Sequence, residues 1–237
     1  MNDNHQVPWK RISIEAVAIV ASILLAFAID AWWDRQQQYR LENAMLAAVV
    51  DEINANYVAL EEHIAGNEHT LSLNDQFLRG TSEEFSRLEL DEIDRMVASL
   101  NTAMTFNRFD SAAAMYAGTP PPDQSGIHLR SQVSNVIREL VDVVEDHHRL
   151  QRAQDNVRLR VAYHLVGESR NGLAQVGPTA ARLGPSVLND LRADDELIAA
   201  IVDKAHLQRV YIREMQGGLI LLESVRETLS SELESRL

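Results

Sequence analysis

The sequence predicts an all-α protein in which an N-terminal transmembrane helix is continuous with an antiparallel bundle of about four helices. Three observations predict it: one long apolar run near the N-terminus, apolar residues at helical spacing through most of the remaining chain, and few breakers, with 10 Gly and 6 Pro in 237 residues. A many-turned β fold needs more of both. A hydrophobic content of 46% excludes wholesale disorder. The length allows one domain of ordinary size beyond a membrane segment. The expected division is a short tail over 1–11, a span over 12–33 and an acidic helical domain over 34–237.

The span runs from Ile12 to Trp33. Its 22 residues would form a helix about 33 Å long at roughly 1.5 Å per residue, against a hydrocarbon core of about 30 Å. Trp9, Lys10 and Arg11 precede it and Trp32 and Trp33 close it, so these five are the expected membrane-interface residues. A cleaved signal peptide is the main rival reading, with Lys10 and Arg11 as its basic region and Ala26-Phe27-Ala28 as a cleavage site. Glu15 inside the run and the paired Trp argue against it. A buried core helix is the second rival, and no other stretch is comparably apolar.

Ala18, Ser22 and Ala26 fall at four-residue spacing and share with Glu15 and Asp30 one face about 120° wide, at roughly 100° per residue. Small residues let another helix approach closely, and acids near the boundaries supply polar contacts. The expectation is a packing face for a second copy or a partner's membrane helix. The plainer alternative is that Ala is common here and both acids reach interfacial water. Lys10 and Arg11 on one side are matched by Arg35 and Arg40 on the other, so the positive-inside count is tied. The short tail, with both bases beside the membrane, favours a cytoplasmic N-terminus and a periplasmic or extracellular domain.

Beyond the span, Leu41, Met45, Val49, Ile53, Tyr57, Leu60, Ile64, Leu71 and Leu78 recur at helical intervals, with Asn67 and Asn74 in the same stripe. No Pro interrupts them, so the first helix is expected to run on to Arg79 and end at Gly80 as a C-cap. Thr81 or Ser82 would cap a second helix carrying Phe85, Leu88, Ile93, Val97 and Leu100. Residues 101–126, with Pro120-Pro121-Pro122, read as the main connection, although Ser111 to Tyr116 has the makings of a helical turn or two. A long helix from about Ile127 to Val166 follows, striped by Val133, Ile137, Leu140, Val144, His147, Gln151, Gln154 and Val161, with a polar middle. Gly167 to Pro185 reads as a second loop. The last helix, about Asp194 to Leu233, carries Ile198, Ile201, Ala205, Ile212, Met215, Leu219, Leu222 and Leu229, interrupted only by Gly217-Gly218. Such seams pack as antiparallel helices at small crossing angles.

The net charge of −13 is uneven: residues 34–123 hold 6 basic and 16 acidic side chains, residues 124–237 hold 14 and 16. An acidic surface without a basic stripe repels phosphate backbones, which argues against nucleic-acid binding. Without Cys there is no disulfide, thiol nucleophile or Cys-based zinc site. No G-x-S-x-G, phosphate loop or H-E-x-x-H stands in the chain; no catalytic residue and no cofactor are assigned. The sharpest motif is Glu145-x-x-His148, the spacing by which di-iron bundles aim two ligands at one core metal. Its only companion is Asp203-x-x-His206, with Glu52, Glu61 or Glu62 as a further carboxylate, an incomplete set. His147 and His148, among Asp142, Glu145, Asp146, Arg149, Arg152 and Asp155, read as a surface charge network, a polar layer fixing register, or a pH-sensing cluster.

The run Glu15 to Asp34, E-A-V-A-I-V-A-S-I-L-L-A-F-A-I-D-A-W-W-D, resembles a family of uncharacterised bacterial single-pass membrane proteins, in which an acidic residue opens the span and Ile-Asp or Ile-Asn then Trp closes it. The resemblance continues through Leu46 to Asn56, and more loosely at Asp110 to Ala117 and Ser125-Gly126. It implies an anchored helical architecture in a bacterial inner membrane, with no activity or catalytic residues to carry over. Three functions follow as expectations: a membrane-anchored interaction or scaffold protein with a protein partner or second copy, an extracytoplasmic sensor-type ligand-binding bundle, and a membrane-tethered metal-binding bundle.

Overall fold

Every described element is helical in the computed structural model, which describes residues 9–104, 106–121, 124–168 and 184–236. The first helix, α1, runs unbroken from Trp9 to Arg79. It is followed by α2 (Ser82–Phe85), α3 (Leu90–Leu100), α4 (Ser111–Gly118), α5 (Gln124–Glu168), α6 (Pro185–Arg192) and α7 (Asp195–Arg236). These helices make an up-down-up-down bundle of four columns. α1 rises, α3 and α4 descend end to end as a composite second column, α5 rises and α7 descends. Cross-column pairs fix the directions. Glu42 of α1 meets Arg130 of α5 at 2.7 Å, Asp75 of α1 meets Arg209 of α7 at 2.7 Å, and Arg160 of α5 meets Glu196 of α7 at 2.6 Å.

The long helices bury seams that alternate steps of three and four, the 3.5-residue period of small-angle packing. On α7 the seam runs Leu197, Ile201, Lys204, Gln208, Tyr211, Met215, Gly218, Leu222, Val225 and Leu229, all buried. On α1 it runs Glu42, Leu46, Val49, Ile53, Asn56 and Leu60, and continues through Asn67, Thr70, Asn74 and Phe77. The expected stripe of α1 lay one position away at several points, and Leu41 is exposed. On α5, Gln151 is likewise exposed and Leu150 is buried in its place.

Local chemistry sets the breaks. α1 ends where a Cβ on Gly80 would lie 2.4 Å from the Phe85 ring, so close approach excludes a side chain there. Thr81 caps α2 through a reciprocal box with Glu84. The expected single second helix is split, because Glu89 starts α3 with a second such box to Glu92. α6 is an element that periodicity did not bring out. Pro185 occupies its first turn, where a missing N–H costs nothing, and Val187, Leu188 and Leu191 are buried. Gly172, Gly177 and Pro178 of the expected loop lie outside the described residues. Asp194 starts α7 by accepting the amides of Glu196 and Leu197, each at 3.0 Å. The His164 hydrogen bond and these amides hold its carboxyl below the usual range. α7 passes straight through Gly217-Gly218, where Gly218 faces Leu60 and Val143.

Burial falls into two apolar clusters. One lies toward the N-terminal part of α1 and includes Leu46, Ile53, Tyr116, Val133, Met215 and Leu222. The other lies at the far end and includes Phe77, Phe85, Ile93, Leu100, Leu188 and Ile201. Between them sits a buried polar layer of Asn67, Asn74, Ser99, Lys204 and Gln208. Its cause is the gap in the second column. α3 stops at Leu100 and α4 starts at Ser111, and the backbone ends exposed by that gap need partners. Lys204 Nζ donates to the carbonyls of Ser99, Leu100 and Thr102 at 2.9, 3.0 and 2.9 Å, a cation on the C-terminus of α3. Gln154 Nε2 donates to the Asn101 carbonyl at 2.7 Å. Asn56 clasps Phe109 twice, donating to its carbonyl at 2.6 Å and accepting its amide at 2.8 Å. The Glu52 carboxylate accepts the amides of Ala112 and Ala113, at 2.8 and 3.0 Å, and caps α4.

Lys204→Met would relieve a buried charge but strip the donor from the Leu100 and Thr102 carbonyls, the Ser99 carbonyl keeping the Thr102 amide at 3.4 Å. The second effect wins, at roughly 1–3 kcal/mol per orphaned group. Chemical denaturation in detergent is expected to show a loss of about 2–4 kcal/mol. Burial also pulls the Lys204 ammonium down to about 8, whereas the unfolded chain holds that proton to about 10.4. Stability is therefore expected to gain a rising contribution from about pH 8 to 10 that Lys204→Met lacks.

Candidate membrane anchor and its neck

Residues 13–41 of α1 are exposed along their whole length, and burial begins abruptly at Glu42. Within this bare stretch Ile14, Val17, Val20, Ile23, Leu24, Phe27, Trp32 and Trp33 all present apolar surface. Among the described residues it is the one helix segment long and apolar enough to cross a membrane. Trp9, Lys10 and Arg11 begin α1, and their side chains lie outside the described residues. Trp32 and Trp33 hold their rings 6.3 Å apart in a tilted pair at the other end. Glu15, Ala18, Ser22, Ala26 and Asp30 are exposed, and Ser22 Oγ donates back to the Ala18 carbonyl at 2.8 Å. That bond satisfies the hydroxyl within its own helix.

The neck joins the bare stretch to the bundle. Glu42 accepts both terminal nitrogens of Arg130, at 3.0 and 2.7 Å, the bidentate geometry that makes such a pair strong. Tyr116 Oη donates to the same carboxylate at 3.0 Å. Arg130 also donates to the carbonyls of Thr119 at 2.6 Å and Gly126 at 3.1 Å, and its guanidinium lies 4.3 Å from the Tyr116 ring centre. Arg236, at the end of α7, stands 3.9 Å from Glu42 and pairs with Glu232 at 2.7 Å. One carboxylate thus draws α1, α4, α5 and α7 together, nine residues or about 14 Å beyond Trp33. Burial, then the Glu42 charge, pushes the Tyr116 hydroxyl up to about 12, so it remains a donor at any ordinary pH.

The metal motif does not assemble. Glu145 and His148 are exposed on α5, as are Asp203 and His206 on α7. Among the described residues no group of three His, Asp or Glu converges on one point. The inward positions are their neighbours His147 and Lys204. Of the other histidines, His164 pairs with Asp194 at 2.8 Å and His63 Nδ1 meets the Ala59 carbonyl at 2.6 Å. The structure also brings together two segments quoted for the family resemblance: Glu52 and Asn56 bind the backbone of Phe109, Ala112 and Ala113. The neck itself was not read from the sequence. Glu42 falls one step of the 4-3 seam before Leu46, which is the signal that locates it.

The chain is thus an all-α bundle with one helix long and apolar enough to cross a membrane. The sequence matches no family model, and neither a curated protein nor a solved structure matches it.

Removing one partner of a buried ion pair leaves the other charge uncompensated, at a cost of about 3–5 kcal/mol. Glu42→Ala and Arg130→Ala are each expected to destabilise the bundle by that order, and the double variant by no more than either single. A double-mutant cycle in chemical denaturation checks this, and additive losses would contradict it.

Proposed function

We propose that the protein is a membrane-anchored interaction or scaffold protein of the bacterial inner membrane, a member of the family of single-pass proteins that its Glu15–Asp34 run resembles. The observation that carries the reading is the bare apolar stretch of α1, continuous as one helix with the bundle. Left in water, so long an uncovered apolar cylinder would aggregate, whereas in a bilayer its cost vanishes. Because no linker separates span from bundle, the anchor holds the domain at a set height and rotation. The bundle then presents the acidic flank of α1, α2 and α3, including Asp51, Glu61, Glu62, Glu83 and Asp91, to a protein partner in the periplasm. Glu15, Ala18, Ser22, Ala26 and Asp30 form the face that packs on a second copy or on the partner's membrane helix.

A second reading is favoured by a cleft of about 410 Å³ at the far end, lined by Asp75, Gln76, Arg79, Glu84, Phe85 and Leu88. Its size suits a small ligand and supports a sensor-type bundle. A thermal shift with a small molecule would favour this reading, and a stoichiometric protein recovered with the detergent-extracted chain would favour the first.

Topology is directly testable because the chain has no native Cys. A single cysteine in place of Ser235 is expected to react with a membrane-impermeant maleimide on intact cells, and one in place of Asn2 only after lysis. The reverse pattern would place the bundle in the cytoplasm. Labelling of both in the soluble fraction would refute the anchor.

A further inference from the structure

Next to the Lys204 layer lies a second group of buried polar side chains that the anchor and neck do not use. His147 of α5 is 6% exposed and Tyr211 of α7 is fully buried. Their rings lie 5.7 Å apart. His147 Nδ1 has no hydrogen-bond partner, and the Tyr211 hydroxyl lies against the backbone of Phe106. A buried ring nitrogen left without a partner in a bundle centre is costly and calls for a reason. Phe106, almost fully buried, meets the Tyr211 hydroxyl through its backbone from the segment between α3 and α4, and its ring stands edge-on to His63 of α1 at 5.9 Å.

Among the described residues, the charged groups acting on His147 are histidines, and each disfavours a proton on its ring. His63 faces it from α1 and His148 stands beside it on α5. Tyr211, facing it from α7, is held neutral to about pH 12 by burial. Phe106 brings no charge from the second column, and among the described residues no carboxylate acts on the ring. Two turns along the same α7 seam, the charged group is another cation, Lys204. A proton on His147 therefore meets no anion and little water.

We propose that His147, His63, Tyr211 and Phe106 form an acid-sensitive latch, in which protonation of His147 displaces Phe106 and frees the backbone from Phe106 to Asp110. That segment meets the site through Phe106. It is non-helical and is held through side chains such as Asn56 on Phe109. Moving Phe106 outward hydrates the imidazolium, whereas parting the long helices would break both apolar clusters. Burial first, then His148 and His63, hold the closed-state value below the ordinary one. Above about pH 6.5 both states are neutral and the latch stays shut. Below it the open state takes the proton first, so closure weakens as pH falls. The inference rests on the bundle alone and stands whichever side of a membrane the domain occupies.

Hydrogen exchange on the full chain in detergent at pH 7.5 and 5.5, corrected for intrinsic rates, tests it. Opening at the amides of Phe109, Ala112 and Ala113 is expected to rise about three- to tenfold at pH 5.5, the range one proton allows over one unit below about 6.5. Amides of Leu222 and Val225 are expected not to change. His147→Gln, with wild-type exchange at pH 7.5, is expected to abolish the rise. An equal rise in that variant would assign the effect to the carboxylate of Glu52 and overturn the proposal. If His147→Gln fails to fold, histidine titration in the wild type decides. A His147 resonance titrating below about 6.5 together with segment opening supports the latch, and one titrating at or above that value, or without opening, refutes it.

Discussion

The gap in the second column is the constraint on which the rest of this bundle depends. Three columns are long helices that satisfy their own backbones, but the second is two short helices joined by irregular chain. Its carbonyls and amides lie inside, where an unpaired group costs about 1–3 kcal/mol. The three long helices answer with side chains aimed from their seams. α1 offers Glu52, Asn56 and Asn67, α5 offers Gln154 and α7 offers Lys204. All but Glu52, which flanks the seam beside Ile53, sit where a coiled-coil seam would otherwise hold Leu or Ile. This layer divides the apolar interior into two clusters, each covered in the second column by its own short helix, α4 on one side and α3 on the other. It also pins register, because a shift of either long helix would part Lys204 from its carbonyls or Asn56 from Phe109.

The neck obeys the same logic at the other boundary. Where α1 passes from bare to buried, a single carboxylate at Glu42 gathers Arg130, Tyr116 and Arg236 from three other elements. The bundle is therefore clamped to the helix that carries the bare apolar stretch, and the direction of that stretch is transmitted to the domain without a linker. A bundle so mounted is suited to hold a surface in place rather than to sweep through space. That is the physical content of the scaffold reading.

Much of this architecture was legible in the chain, and the parts that were not share a cause. The apolar run, a helix cap at Thr81 or Ser82, the helical turns near Ser111 and the Asp194 start of α7 follow from local chemistry, and the structure has them, with Thr81 as the cap. The split between α2 and α3 was missed because Glu89 is an uncommon cap and no Gly or Pro marks it. Reading the stripes by approximate spacing places Leu41 and Gln151 on the inner faces, which they do not occupy. It also overlooked Lys204 and Glu42, the two charges that organise centre and neck. A strict 4-3 count along α7 and α1 passes through both. Charge hid them, since a lone Lys or Glu is ordinarily a surface residue. Nor is a gap in another column visible from the helix that fills it. The Glu145 and Asp203 motifs show the converse. Their spacing is right for a ligand pair, but His148 and Asp203 stand one position off the seam and Glu145 and His206 two, so they face outward.

Lys10 and Lys204 are the only lysines in the chain, so selective labelling of lysine side-chain nitrogen gives a spectrum of two signals. The account requires the Lys204 ammonium to exchange slowly with solvent, held by the carbonyls of Ser99, Leu100 and Thr102, and to lose its proton near pH 8. Two rapidly exchanging signals that both titrate near the ordinary lysine value of about 10.4 would contradict it, because Lys204 would then stand in water and the gap in the second column would be held by something else.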